Sequence, residues 1–99
     1  MGKRKVIIKQ SVAQRVAEIS WFIESQGMIA TAENFTDSTY DFFEKLSDDR
    51  IIYPICREPQ RASLGFKCVQ FKKKYTVVLS ENEGNIIIHE FIPSKLIRW

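Results

Sequence analysis

GFKCVQFKKKYTVVL, residues 65–79, decides how the chain is built. Two runs rich in β-branched and aromatic residues, Phe66–Phe71 and Tyr75–Leu79, flank three consecutive lysines, Lys72, Lys73 and Lys74. A connection that short between two strand-like runs predicts a β-hairpin. A third run, Ile86–Ile92, follows Ser80-Glu81-Asn82-Glu83-Gly84-Asn85, a second hairpin-length connection. Residues 66–92 therefore read as a three-stranded antiparallel meander. The lysines have two readings. Lysine on a hairpin connection blunts edge-to-edge pairing of strands. Alternatively, Lys72, Lys73 and Lys74 extend a basic patch made with Lys67 on the adjoining strand and Arg57 and Arg61 in the preceding segment.

Working towards the N-terminus, residues 51–64 read as irregular, because Pro54 and Pro59 withdraw backbone donors and leave Ile55-Cys56 as a brief edge strand at most. Before that come two helical patterns. Val12, Val16, Ile19 and Ile23 recur at helical spacing, Ser11 and Gln14 have the spacing of a capping box, and Gly27 is placed to stop the helix. The second helix spans about residues 28–46. Its apolar face carries Ala32, Phe35, Thr36, Thr39, Phe42, Phe43 and Leu46; Glu33, Asn34, Asp37, Asp41, Glu44 and Lys45 face away. The turn between them is short, so the two helices form an antiparallel hairpin. Lys5–Lys9 is a first short strand. The order β-α-α-β-β-β predicts an α+β fold in which an N-terminal helix hairpin covers one face of an antiparallel sheet.

Trp21 falls off the first helix's apolar stripe, on a line with Ala13 and Ala17. Two small residues beside a large ring suit a close helix crossing. An exposed tryptophan suits a partner's pocket instead.

Ninety-nine residues make one domain spanning 1–99. At 44% hydrophobic and 12% aromatic the chain can form a core, and no run approaches a membrane span. Met1-Gly2-Lys3-Arg4-Lys5 is basic but precedes only Val6-Ile7-Ile8, too short for a signal-peptide core, so a cytoplasmic protein is expected. Cys56 and Cys68 lack metal-site spacing and read as free buried thiols; no metal or cofactor is expected. A nucleophilic pair of cysteine with His89 would lack a third orienting group. His89 is expected on one strand face with Ile87 and Phe91. Residues 1–49 hold six Lys/Arg against eight Asp/Glu, hence −2; residues 50–99 hold nine against four, hence +5. That asymmetry suits an acidic partner, nucleic acid or protein, or merely keeps the chain soluble.

With this order of elements, SVAQRVAEISWFIES and GFKCVQFKKKYTVVL…NIIIHEFIP, the chain resembles the RelE/ParE toxins of bacterial type II toxin–antitoxin systems. The likeness runs from about Lys5 to Lys95 and rests on Gly65, Phe66, Lys67, Tyr75 and the Ile86–Ile88 run. The resemblance implies a growth inhibitor neutralised by a cognate antitoxin, which would contact Trp21, Ala17 and Ala13. One branch of the family poisons DNA gyrase; another cleaves messenger RNA on the ribosome without metal. For the nuclease branch Arg61, Lys67 and Lys95 are the catalytic candidates. For either target Arg57, Arg61, Lys67, Lys72, Lys73, Lys74, Lys95 and Arg98 are candidate contacts, and Trp99 adds a ring beside Arg98. The chain departs from the nuclease pattern after the last strand, where Pro93-Ser94-Lys95 stands and no His or Tyr follows His89. The reading therefore favours a ParE-like inhibitor without enzymatic activity, with a ribosome-dependent ribonuclease or a small nucleic-acid-binding domain as alternatives. A Trp21 line left exposed would also suit a homodimer.

Overall fold

The computed structural model describes residues 4–48 and 50–96. Strand β1 (Lys5–Ile8) leads into helices α1 (Gln10–Ser25) and α2 (Ile29–Lys45), then a short helix α3 (Pro59–Ser63). Strands β2 (Lys67–Phe71), β3 (Tyr75–Asn82) and β4 (Asn85–Pro93) follow, closed by a 3-10 turn at Ser94–Leu96. The sheet order is β1-β4-β3-β2. The three later strands are antiparallel as expected, whereas β1 joins β4 in parallel, so the sheet is mixed. The helix pair forms part of the long connection that parallel neighbours require, together with α3, β2 and β3.

The helices pack because their stripes are apolar at the right period. Val12, Val16, Phe35 and Phe43 are buried with Val77, Leu79, Ile86, Ile88 and Phe91 of the sheet, while Ile19 and Ile23 pack at the margin. Phe91 is the hub. Its ring lies 4.9 Å from Tyr75, 5.9 Å from Phe43 and 6.2 Å from both Phe35 and Phe71. Thr39, wholly buried, satisfies its hydroxyl on the Phe35 carbonyl at 2.7 Å. Gly27 ends α1 at φ +82°, with its N–H on the Glu24 carbonyl. The start of α1 corrects the sequence reading. Lys9 is the N-cap and gives no side-chain bond, and the Gln14 amide donates to Glu18 instead of closing a capping box.

Two further corrections follow from strand geometry. The register of β3 on β4 slips between Val78 and Leu79, which pair with Glu90 and Ile88. His89 is therefore the extra residue of a β-bulge, which switches the alternation of side chains. Phe91 thereby joins Ile86 and Ile88 in the core, and His89 stacks on Phe66, which packs with the second cluster of Val78, Cys56 and Cys68. Nor are the cysteines free. Residue 55 bridges residue 67, the Cys56 N–H donates to the Phe66 carbonyl and the Cys68 N–H to the Pro54 carbonyl. This local ladder brings the two Cα atoms to 4.7 Å, and a disulfide joins them.

The stretch expected to be irregular contains α3. Pro59 occupies its first turn and Glu58 caps it, accepting from the Arg61 N–H at 3.1 Å.

Candidate functional site: two adjoining basic hollows

The second cluster and its covering segment lie away from the helices. Each candidate cation can be placed relative to them. Arg61 is held in ion pairs. Its guanidinium donates to both Glu90 oxygens at 2.9 and 2.7 Å and to Glu58 at 2.9 Å. These bonds, Glu90's foremost, raise its pKa above the ordinary value. Lys67 donates to the Tyr53 carbonyl at 3.2 Å and pairs with Glu81 at 3.3 Å. Burial works against ionisation of Glu81, but Arg4 and Lys67 together hold its carboxyl below the usual range. Two of the three candidate catalytic cations are thus occupied with tying the fold together.

The remaining basic residues divide by location. Lys72 turns to the ring of Phe71, with Nζ 5.4 Å from its centroid. Lys73, Lys74 and Lys95 line one hollow of about 420 Å³ with Tyr75, Pro93 and Ser94. Arg57 lines a second, of about 370 Å³, with Pro54, Ile55, Cys68, Gln70 and Thr76. The hollows adjoin, because Thr76 of one hydrogen-bonds through its hydroxyl to Ser94 of the other at 2.8 Å. Among the described residues, no carboxylate lines either. Arg98 and Trp99 lie outside the described residues, as does the basic start, Met1–Lys3.

Local backbone builds the first hollow. Lys72 and Lys73 have φ of 54° and 60°, and the Lys74 N–H closes the turn on the Phe71 carbonyl. Positive φ at both central residues matches the right-handed twist of the strands but disfavours side chains other than Gly, Asn or Asp. The Ser94 N–H donates to the Lys74 carbonyl at 2.8 Å, which brings Lys95 beside the hairpin. Tyr75 stacks on Phe91, and burial pushes its phenol pKa up, so the hydroxyl stays a proton donor near neutrality. Three ammonium groups, a phenol and a serine can bind an anionic, ring-bearing group there.

His89 is placed for neither nucleophilic nor phosphate chemistry in these hollows. Its ring stacks on Phe66 at 4.4 Å and its Nε2 lies 2.7 Å from the Ser80 hydroxyl. Burial, assisted by Lys9, lowers its pKa. A Cys–His89 pair is excluded by the disulfide.

On the helix hairpin, Trp21 is 64% exposed, while Ala13 and Ala17 are half-buried. It has company that sequence reasoning missed. Phe22, Met28 and Ile29 are 66%, 47% and 57% exposed around the Gly27 turn. Their signal was present as two apolar dipeptides either side of a helix-breaking glycine.

No family model, no curated protein and no solved structure matches this chain.

Proposed function

We propose that this chain is a RelE/ParE-like toxin of a type II toxin–antitoxin system that inhibits growth by binding a target such as DNA gyrase. A cognate antitoxin holds it inactive. The observation that carries this reading over a nuclease is the engagement of Arg61 and Lys67 with Glu58, Glu90 and Glu81. A cation already neutralised by carboxylates offers little to a pentacovalent phosphate transition state. The β-α-α-β-β-β layout, with helices on one side of the sheet, agrees with what the resemblance implies. The exposed Trp21, Phe22, Met28 and Ile29 are the surface where an antitoxin helix or a second copy of the chain would bury apolar area. The toxin acts in the cytoplasm; among the described residues no helix is long and apolar enough to cross a membrane.

One observation favours the ribonuclease alternative. Tyr75 stands among Lys73, Lys74 and Lys95, so a proton donor and phosphate ligands share a hollow. Induction of the chain in a bacterium lacking any antitoxin separates the two readings. The gyrase reading expects arrested growth, loss of plasmid negative supercoiling and intact transcripts. Newly cut transcripts with normal supercoiling would support the nuclease. Unaffected growth would reject both.

A further inference from the structure

We infer that the Cys56–Cys68 disulfide is a modification site for an acidic low-molecular-weight thiol of the glutathione type, which enters through the Arg57 hollow and attacks Cys68. Three observations converge on this direction of attack. Cys68 is the more open partner, 9% exposed against 3% for Cys56. Cys68 also forms part of the hollow's wall, whereas Cys56 does not. Arg57 lines that same hollow, and its positive charge concentrates an anionic thiol there.

The exchange is balanced as written. The incoming thiolate forms a bond to Cys68 Sγ as the Cys56–Cys68 bond breaks. Cys56 leaves as a thiolate and takes a proton from solvent. A second thiolate attacks the small thiol's sulfur in the mixed disulfide, yielding the symmetrical disulfide of the small thiol and freeing Cys68. Two reducing equivalents pass from the small thiol to the protein.

The bond closes a loop containing α3. Once it opens, that loop is tethered by the hydrogen bonds at residues 54–56 and by Arg61 on Glu90. An adduct on Cys68 would occupy the hollow beside Arg57. The inference stands independently of the proposed toxin function, since it concerns only which sulfur reacts and with what.

The test uses the full-length oxidised protein and two thiols, glutathione and 2-mercaptoethanol, which has no charge beyond that of its thiolate. Samples are quenched in acid, alkylated and mapped by mass spectrometry. The expected result is a glutathione adduct on Cys68, with Cys56 alkylated in the same molecules. Arg57→Glu should slow the glutathione reaction by about threefold to tenfold and slow 2-mercaptoethanol less, because its attacking thiolate carries one fewer negative charge. In the unaltered protein, added salt should slow glutathione more than 2-mercaptoethanol, which keeps the test valid should the variant fold poorly. An adduct on Cys56, no reaction with excess glutathione, or equal salt sensitivity of the two thiols would each overturn the inference.

Discussion

The two sides of the sheet are held by different physics. On the helix side, Phe71, Tyr75 and Phe91 of the sheet meet Val12 and Val16 of α1 and Phe35 and Phe43 of α2 in one apolar layer. On the other side, a small cluster of Val78, Phe66 and a disulfide is fastened by Arg61 to Glu58 and Glu90, and His89 is lodged beside it. The first side depends on area removed from water, which pH and thiols leave alone. The second depends on a reducible bond and titratable groups. The lesson is that one small α+β fold can keep a chemically indifferent foundation beneath a chemically responsive cover.

The largest expected effect lies on the indifferent side. Phe91→Ala should destabilise the protein by about 3–5 kcal/mol in denaturant titration, because four aromatic rings lose their common neighbour. A loss below about 1 kcal/mol would show that the aromatic layer does not carry the fold. On the responsive side, replacing Cys56 and Cys68 together by alanine should cost about 2–3 kcal/mol, as expected for a bond between residues 12 apart. Hydrogen exchange should rise over residues 54–66 and stay unchanged in β3; equal acceleration in both would erase the distinction drawn between the two sides.

Next in size is Arg61→Met, which should cost about 1–2 kcal/mol, since it leaves the half-buried Glu58 and Glu90 carboxylates short of a donor. The smallest effect is on pH dependence. Folded His89 has a lowered pKa, so as pH falls the unfolded chain takes up a proton first. Its contribution is complete above about 6.5, the ordinary imidazole value, and is lost as pH drops through that value towards the folded one. His89→Gln should flatten the stability profile in that window, as read by thermal unfolding at several pH values. An unchanged profile would place the acid sensitivity elsewhere.

The legibility of these features varied with how local their causes are. The hairpin connections at residues 72–74 and 80–85, the second narrowed by longer strands to residues 83–84, the helix stop at Gly27 and the apolar faces of both helices were readable, because each follows from neighbours in sequence. The exposure of Trp21 was readable as one of two options. The disulfide was not, because it depends on residues 54–56 pairing beside residues 66–68. The bulge at His89 was hidden because its cause is the register of another strand. The candidate site suffered most. Arg61 and Lys67 looked like available cations because Glu81 and Glu90, which occupy Lys67 and Arg61, lie 14 and 29 residues away in sequence, although Glu58, three residues before Arg61, was a local partner. Helix α3 had local signals in Glu58-Pro59, outweighed by the expectation that two prolines preclude regular structure.

By itself, the sequence determined the periodicities: which residues form strands and helices, which faces are apolar, and where the chain must turn. These follow from backbone stereochemistry and side-chain spacing over a few residues. Only the tertiary structure decided which charges cancel, which sulfurs meet and which face a strand presents beyond a bulge. Those outcomes depend on ångström-scale distances between segments remote in sequence, and Coulomb attraction and covalent bonding act on those distances alone.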